Sequence, residues 1–430
     1  MPLDNAQQKP EIVHSACPHD CPSTCALEVE RLSPTRIGRV HGAKANPYTA
    51  GVVCAKVARY AERQHHPDRL AQPMKRVGDK GVGIAAFKPI SWEQALDETA
   101  EKFLRAEQQW GAESVYPYFY AGTMGLVQRD GIQRLRHEKK YARQKSTICV
   151  ALSDAGWMAG VGIMRGVDAR EIADSDLIVA WGTNPVSTQV NVMTHVSRAR
   201  KERGAKFYCV DPYRNPTAEI ADHHIMLRPG TDAALALGMM HVLFAEGYAD
   251  RAYMARHADD PAALEAHVRD RTPEWAEGVT GVPAESIREF ARAYGQTKRS
   301  FIRVGFGFAR ARNGAASLHA VTCLPTVTGA WAHHGGGALY SNRSLYRIND
   351  SLIVGAEMED RSIRELDQSR LGAVLTGDKR DLGDGPPVMA MIVQNTNPMM
   401  VCPNTNLVRQ GMARDDLFIC VHEQFMTETA

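Results

Sequence analysis

The sequence predicts an α/β protein in which a small cysteine-bearing N-terminal module precedes doubly wound α/β domains. Three observations predict this fold. Four of the nine cysteines lie near the start of the 430-residue chain, in the pattern Cys-x3-Cys-x3-Cys-x28-Cys. Apolar runs of strand length alternate with helical segments over the rest of the chain, and most of these runs end in a turn with Gly, Asn, Asp or Pro. Such alternation is typical of a parallel sheet covered by helices.

The N-terminal module is predicted to cover residues 10–68. It contains two short β-like runs, CALEVERL and RIGRVHG, together with the closely spaced cysteines. A loop with prolines and paired glycines separates it from the segment SWEQALDETAEKFLRAEQQWG. We expect this segment to form a helix with Ser91 as its N-cap and Gly111 at its end.

The next segments predict a βαβ unit. The apolar run DLIVAW (176–181) is short and ends at GTNP, which indicates a buried parallel strand. The segment STQVNVMTHVSRARKERG follows and is predicted to be a helix that ends at Gly204. The run KFYCVDP (206–212) is then the second strand.

Further strands and helices extend this pattern. HHIMLRPGTDAALALGMMHVLFAEG predicts a strand, a tight turn and a helix from about Asp232 to Gly247. PAESIREFARAYG predicts a helix, and FIRVGFGF and MAMIVQNTNP predict two more strands. Ligands of a doubly wound sheet bind at the carboxyl ends of its strands, which here carry GTNP, DPYRN, RPGTD and GFGFAR. No internal repeat is evident in the sequence.

The composition excludes several classes of protein. Hydrophobic residues are 44% and charged residues 23%, as in ordinary globular proteins. A net charge of +2 argues against a nucleic-acid binder and favours a small-molecule substrate. The apolar run AALALGMMHVLFA is shorter than the roughly 18 residues of a membrane span and contains His241. The first residues lack the apolar core and the twin arginine of export signals, so we expect a cytoplasmic location.

The cysteine spacing indicates a metal centre. In a reducing compartment, nine cysteines point to metal binding or catalysis before disulfides. Three close thiolates and one remote thiolate can each bind one iron of a cubane, whereas structural zinc sites usually use two Cys-x2–4-Cys pairs. The spacing therefore favours a [4Fe–4S] cluster on Cys17, Cys21, Cys25 and Cys54, with zinc as the alternative. A charged Lys56 beside the cluster would raise the reduction potential of the cluster. Taken alone, however, Lys56 is better explained as an ordinary solvated lysine.

The ordered motifs of the chain resemble those of the molybdopterin oxidoreductase catalytic subunits, the dimethyl-sulfoxide-reductase superfamily. A single one of these motifs is a plain turn in many proteins, but the ordered set is specific. After the cysteine module, the motifs are ISWEQAL (90–96), WGTNP (181–185), VDPYRNPTA (210–218), LRPGTDAALALGM (227–239), GFGFAR (305–310) and NTNP (395–398).

This resemblance implies a domain division and a cofactor. It implies a 4Fe–4S domain at 10–68 and a molybdopterin oxidoreductase domain at 69–430. Within the latter, 69–145 and 330–430 form one α/β lobe, and 146–329 form a nested Rossmann-like lobe. The implied cofactor is molybdenum, with tungsten as the alternative, bound by two molybdopterin guanine dinucleotides.

The resemblance also implies which residues bind that cofactor. Gly182 and Asn184 at a strand end would let backbone N–H groups approach a pyrophosphate, and Asp211 would accept hydrogen bonds from a guanine or ribose. Lys56 matches the family's lysine between the cluster and the pterin. The cofactor-binding residues implied are Gly182, Thr183, Asn184, Asp211, Pro212, Arg228, Gly230, Thr231, Asp232, Gly305, Gly307, Arg310 and Asn397.

The family's metal takes at most one protein ligand, which precedes the WGTNP strand. The corresponding stretch is KSTICVALSDAGW, in which Cys149 is the candidate, because a thiolate suits a soft metal. Ser146 and Ser153 are the runners-up, and Cys149 as an ordinary buried cysteine is the further alternative. Val150 stands where formate dehydrogenases of the family have histidine, which makes formate oxidation a poorer match and leaves oxyanion reductases, oxidases and hydroxylases open.

We therefore expect two-electron chemistry on a small substrate, with the cluster passing electrons singly to a partner subunit. A non-catalytic electron-transfer or assembly subunit is the alternative. The sequence ends at Ala430, within a strand-to-helix connection. The resemblance implies that a C-terminal barrel-like domain is absent, so we expect a fragment or a truncated chain.

Overall fold

The computed structural model describes residues 10–430. The strands are β1 (Glu11–Ala16), β2 (Ala26–Ser33), β3 (Arg36–Gly42), β4 (Met74–Arg76), β5 (Phe87–Pro89), β6 (Val115–Phe119), β7 (Arg143–Lys145), β8 (Leu177–Trp181), β9 (Lys206–Val210), β10 (His223–Ile225), β11 (Ser300–Val304), β12 (Gly337–Leu339), β13 (Glu365–Asp367), β14 (Ala390–Gln394) and β15 (Phe418–His422).

The α-helices are α1 (Ala55–Ala58), α2 (Tyr60–Gln64), α3 (Trp92–Trp110), α4 (Leu126–Asp130), α5 (Ile132–Lys139), α6 (Ala151–Val161), α7 (Pro185–Thr188), α8 (Val190–Arg203), α9 (Pro216–Ile220), α10 (Asp232–Ala245), α11 (Arg251–His257), α12 (Pro261–Val268), α13 (Pro273–Thr280), α14 (Ala284–Gln296), α15 (Gly314–Val327), α16 (Ser351–Val354), α17 (Leu371–Thr376), α18 (Lys379–Leu382), α19 (Pro398–Val401) and α20 (Thr405–Met412).

The N-terminal module is an antiparallel sheet in the order β1–β2–β3, followed by α1 and α2. Its small core consists of Leu27, Val40 and Val57 together with the buried Cys25. Cys54 comes directly before α1 and packs against the same core. The sheet and the first helix thus bring the remote cysteine to the cysteine loop.

The larger sheet is parallel and five-stranded, in the order β10–β9–β8–β11–β12. Every residue of β8 and β11 is buried, as expected for central strands covered by helices on both faces. One face packs on α8 and the other on α10, α14 and α15. The connection order changes between β8 and β11, so the crevice for a ligand opens at the carboxyl ends of these two strands.

A second parallel sheet, β15–β14–β6, joins segments that are remote in the sequence. The short strands β7 and β13 pair beside it, also in parallel. The boundaries of the two lobes stay a prediction. Strand β12 lies beyond position 330 and pairs with β11 of the larger sheet.

The α/β fold class predicted from the sequence is confirmed. Ser91 is the N-cap of α3, where its Oγ accepts a hydrogen bond from the Gln94 N–H at 3.1 Å, and the helix ends at Gly111. The single helix predicted after GTNP is wrong in one detail, because α7 and α8 are separated by Gln189. The backbone of Gln189 is not helical (φ −142°, ψ 62°). Its side chain is buried and forms hydrogen bonds with Thr183 and Arg303, which lie at the ends of two other strands.

Among residues 10–430, none of the helices combines the length and the apolar character that crossing a lipid bilayer requires.

Candidate functional site

The cysteine-rich stretch CPHDCPSTC folds into a closed loop. The Cys17 N–H donates to the Cys25 carbonyl at 2.9 Å, and the Thr24 N–H donates to the Cys21 carbonyl at 3.1 Å. Thr24 has a positive φ of 39°, which lets the loop turn back on itself. Cys17, Cys25 and Cys54 all contact the core of the N-terminal module. The loop therefore holds three thiols next to the fourth.

The four thiols lie close enough together to influence one another. Burial, together with the three neighbouring thiols, raises the pKa of Cys25 to about 11. The two metal centres that the sequence allows use such thiols differently. Zinc needs all of its sulfurs about 2.3 Å from one point, whereas a cubane binds each thiolate at a different iron.

Two polar atoms of the same loop also fit a cluster. His19 Nε2 and Ser23 Oγ are buried, and neither has a hydrogen-bond partner between residues 10 and 430. Each is able to donate a hydrogen bond to a cluster sulfide. Buried polar groups normally have partners, so their position favours a polar group inside the loop.

The N-terminal module docks on residues 187–191, which we call the seat. The Ser187 carbonyl accepts a hydrogen bond from Lys56 Nζ at 3.0 Å. The Thr188 carbonyl lies 2.8 Å from the Cys21 thiol, and Asn191 Oδ1 lies 3.1 Å from the Cys25 thiol. Both contacts involve cysteines that the sequence predicts as ligands, so the seat lies directly against the predicted cluster site.

The WGTNP and GFGFAR turns touch through their backbones. The Gly305 N–H donates to the Trp181 carbonyl and the Gly307 N–H to the Gly182 carbonyl, both at 3.0 Å. A Cβ atom on Gly305 would lie 2.3 Å from Thr183 Cβ, so only glycine allows this approach. Gly182 itself has φ +61°. The two central strands therefore end in a crevice lined by backbone.

The RPGTD turn joins the same crevice. Trp181 Nε1 donates to Asp232 Oδ1 at 2.9 Å, and the Gly230 carbonyl accepts from Asn313 Nδ2 at 2.8 Å. Burial raises the pKa of Asp232 and that of Asp211, which ends the neighbouring strand β9. These two acids thus lie in a partly desolvated region, where a nucleotide's N–H and O–H groups are good partners.

Several predicted residues already have partners within the protein. Arg228 donates to the Gly278 and Val279 carbonyls at 3.0 and 3.1 Å, so its guanidinium lies at the end of α13. Thr231 Oγ1 donates back to the Arg228 carbonyl at 2.6 Å. Pro212 is exposed in the turn after β9. Arg228, one of the two arginines predicted to bind the cofactor, is thus engaged with backbone.

Arg310 lies beside Cys149, a contact that the sequence does not reveal. Its Nη1 is 3.2 Å from the Cys149 carbonyl and its Nη2 is 3.9 Å from the Cys149 sulfur. Cys149 has φ +79°, which is unusual for a residue with a side chain and typical of functional sites. It also comes two residues before α6, so the side chain lies near the N-terminus of that helix.

The two runner-up serines have different surroundings. Ser146 is exposed, whereas Ser153 is fully buried on α6 with an Oγ that has no hydrogen-bond partner in the described chain. Cys149 is the only one of the three with both a positive φ and an adjacent arginine. This favours Cys149 as the metal ligand.

Further polar residues around Cys149 are missed by the sequence. Tyr120 donates to the Ile148 carbonyl at 2.7 Å, and Tyr340 donates to Asp154 at 2.8 Å. Burial, together with the nearby Cys149 thiol, raises the pKa of Tyr120, which keeps its hydroxyl protonated. Both tyrosines follow strand ends, β6 and β12, so only the sheet order brings them here.

The loop after β6 also reaches the cysteine module. The Met124 N–H donates to the Pro18 carbonyl at 2.6 Å, within the cysteine loop. The loop from Tyr120 to Met124 therefore contacts both the Cys149 segment and the candidate cluster ligands. The two candidate metal centres share one wall.

The structure contains an internal repeat, although none is evident in the sequence. Asn184 of GTNP has φ −115° and ψ 75°, and Asn397 of NTNP has φ −116° and ψ 79°. Two residues earlier, Gly182 and Asn395 have φ +61° and +57°. Each turn leads from a buried parallel strand into a four-residue helix with proline at its start. Only TNP is identical, which is too short to indicate a repeat.

The repeat includes a threonine from the turn after the next strand. Thr217 Oγ1 donates to Asn184 Oδ1 at 2.7 Å and accepts from the Val186 N–H at 3.2 Å. Thr429 Oγ1 donates to Asn397 Oδ1 at 2.6 Å and accepts from the Met399 N–H at 3.2 Å. Asn397 therefore lies at a second, equivalent strand end and not in the crevice of the larger sheet.

Comparison with known families assigns these two regions. Residues 10–66 match the family model described as molybdopterin oxidoreductase Fe4S4 domain. Residues 69–430 match the family model described as molybdopterin oxidoreductase. The chain belongs to the molybdopterin oxidoreductase family. Its N-terminal module is accordingly an Fe4S4 domain, and its α/β region is the family's molybdopterin domain.

Two curated members of the family show how far the chain extends. The protein of Bacillus subtilis named probable oxidoreductase YoaE is 38% identical over 427 residues, which is 99% of this chain and 61% of that protein. Dimethyl sulfoxide reductase DmsA of Haemophilus influenzae is 31% identical, over 80% of this chain and 47% of that protein. The chain thus spans about half to three fifths of the length of these relatives.

A solved structure shares the fold. Acetylene hydratase from Pelobacter acetylenicus superposes with a TM-score of 0.75 at 21% sequence identity, over 98% of this chain and 61% of that protein. At this identity the match supports the architecture alone.

The threonine pair of the internal repeat is open to test. Changing Thr217 to Val should destabilise the protein by about 1–3 kcal/mol, because it leaves the Asn184 amide oxygen and the Val186 N–H without a partner. The free energy of unfolding in urea measures this loss. Thr217→Ser keeps the hydroxyl and is the matched control. Equal losses in Val and Ser variants would show that the methyl group, and not the hydrogen bonds, matters.

Proposed function

We propose that the full-length protein is a molybdenum, or alternatively tungsten, bis-molybdopterin guanine dinucleotide oxidoreductase that performs two-electron chemistry on a small substrate. The observation that carries this proposal is the convergence of the WGTNP, RPGTD and GFGFAR turns next to Cys149 and the cysteine loop. Each motif alone is a common turn, but together they form a crevice between two candidate metal centres.

We assign the iron ligands to Cys17, Cys21, Cys25 and Cys54. The shared core and the closed loop, which bring the four thiols together, support this assignment. Lys56 belongs to the electron path in this proposal, because its ammonium bonds to the seat directly after the GTNP turn. A cation at that position favours the reduced, more negative cluster.

We assign the single protein ligand of the molybdenum or tungsten to Cys149. Arg310 bonds the carbonyl of this residue and lies against its sulfur, so the arginine fixes the orientation of the Cys149 side chain. The bound metal supplies two-electron redox chemistry, and the protein supplies binding, orientation and exclusion of water. Tyr120 supports the Cys149 loop through the neighbouring carbonyl.

The internal repeat supports two dinucleotides instead of one. The turn at Gly182 to Asn184 and the turn at Asn397 have the same backbone conformation. Each is also bonded by a threonine, Thr217 in the first turn and Thr429 in the second. Two equivalent strand ends are what a pair of identical ligands requires. In this proposal Asp211 and Asp232 bind the first nucleotide, while Arg228 contributes by holding its turn.

The substrate and partner are proposed at the level of chemical class. Val150 after Cys149 favours an oxyanion reductase, an oxidase or a hydroxylase over a formate dehydrogenase. The likeness to proteins named dimethyl sulfoxide reductase supports the reductase class. We propose an electron-transfer subunit as the partner and the cytoplasm as the location.

Elemental analysis tests the cofactor assignment. The full-length protein, purified anaerobically, should contain about four iron atoms and one molybdenum or tungsten per chain, and acid hydrolysis should release two guanine nucleotides per metal. Four irons without molybdenum, tungsten or nucleotide would favour an electron-transfer or assembly subunit. Zinc as the only metal would contradict both functions.

A separate experiment tests Cys149. X-ray absorption at the molybdenum or tungsten edge should show one sulfur ligand fewer in the Cys149→Ala variant than in the wild type, because the thiolate is lost. Ser146→Ala, on the exposed side of the same loop, is the matched control and should leave the ligand count unchanged. An unchanged count in Cys149→Ala would exclude Cys149 as the ligand.

A further inference from the structure

Arg303 in the middle of the larger sheet is a buried charge with only neutral partners. The residue is 2% exposed and lies on the central strand β11. Its Nε donates to Gln189 Oε1 at 2.8 Å. Its Nη1 donates to the carbonyls of Val304, Leu339 and Tyr340 at 2.6, 2.8 and 2.9 Å.

The guanidinium remains charged and has no carboxylate partner within the described residues. Burial lowers the pKa of Arg303 to about 10, so the side chain is still protonated at neutral pH. Tyr48, Cys21 and Tyr340 oppose this lowering of the pKa, and none of the three is a carboxylate. A buried charge is strongly unfavourable unless an opposite charge compensates it.

The hydrogen bonds of Gln189 lead from Arg303 to the cysteine loop. Gln189 is part of the seat, and the carbonyl of the preceding Thr188 lies against the Cys21 sulfur. Gln189 Nε2 also donates to Thr183 Oγ1 at 3.2 Å, within the GTNP turn. Arg303 is therefore linked through one side chain to both the seat and the GTNP turn.

An iron–sulfur cluster is the anion that this position fits. A cubane with four thiolate ligands carries a net negative charge, which increases by one unit on reduction. Cys21, which we assigned as a cluster ligand, lies against the carbonyl of Thr188, and the next residue, Gln189, accepts the hydrogen bond from Arg303. Cys21 and Tyr48, which belong to the same module, also act electrostatically on Arg303. Arginine is the cation that holds its charge best when buried.

We propose that Arg303 is the buried counter-charge of the iron–sulfur cluster and raises its reduction potential. This inference rests on the cluster assigned under the proposed function. Because the reduced cluster is the more negative form, a fixed positive charge stabilises it and shifts the potential upward. Salt screens this effect little, since the guanidinium lies in the protein interior. Arg303 is a positioning and electrostatic residue and not a catalytic one.

Potentiometric titration of the full-length protein, followed by the electron paramagnetic resonance of the reduced cluster, tests this role. Arg303→Gln should lower the midpoint potential of the cluster. Arg303→Lys keeps a positive charge and should have a potential close to that of the wild type. Arg299→Gln is the matched control. This arginine lies four residues earlier, about 13 Å away along the strand direction, and pairs with Asp176 at the partly exposed opposite end. It should leave the potential unchanged.

Gln189→Glu keeps the arginine and places a carboxylate on its Nε. It should also lower the potential, and it decides the question if Arg303→Gln does not accumulate as folded protein. An unchanged potential in either folded variant, with four irons retained, overturns the proposal. Loss of guanine nucleotide without a change of potential also overturns it, and assigns Arg303 to the nucleotide phosphates near Thr183. A wild type without a reducible cluster contradicts the proposed function itself.

Discussion

The organisation of this protein depends on the carboxyl end of β8. Within the eleven residues from Trp181 to Asn191, the chain leaves the sheet, contacts the β11 turn through backbone hydrogen bonds and forms a four-residue helix. It then presents two carbonyls and an amide to the cysteine module. Because the same short segment forms both the crevice and the seat, a displacement of one site moves the other.

The same segment contains a helix that is interrupted at Gln189. A continuous helix from Pro185 to Arg203 would satisfy more backbone groups than two helices with a non-helical residue between them. The break instead sends the Gln189 side chain inward, where it bonds both Thr183 and Arg303. Buried polar networks of this kind fix a unique geometry when every member has a partner. These side-chain hydrogen bonds offset the interruption of the helix and link the crevice rigidly to the seat.

The sequence was sufficient for those elements that local patterns determine. The strand at 176–181, the helix from Asp232 and the N-cap at Ser91 follow from apolar periodicity and capping chemistry. The ordered motifs were sufficient for the family, because their spacing is set by strand-to-turn connections. Cys149 and the four N-terminal cysteines stay predictions, made from the spacing of the thiols and from the resemblance to the family.

Other parts of the site depend on which strands become neighbours. Arg228 and Arg310 look equivalent in the sequence, but one bonds the end of α13 and the other lies against Cys149. Tyr120 and Arg303 gain their roles from the order of strands in two sheets, which single segments do not encode. The repeated turn could not be found in the sequence either. Its two copies share dihedral angles and a threonine contact, but little sequence identity.

Hydrogen–deuterium exchange of residues 181–191, in iron-loaded protein and after removal of the iron by chelation, tests most directly whether the cysteine loop and the GTNP turn form one unit. The account predicts that loss of the cluster speeds exchange throughout the seat and at the GTNP turn, although none of these residues is an iron ligand. Faster exchange confined to residues 17–54, with 181–191 unchanged, would contradict it.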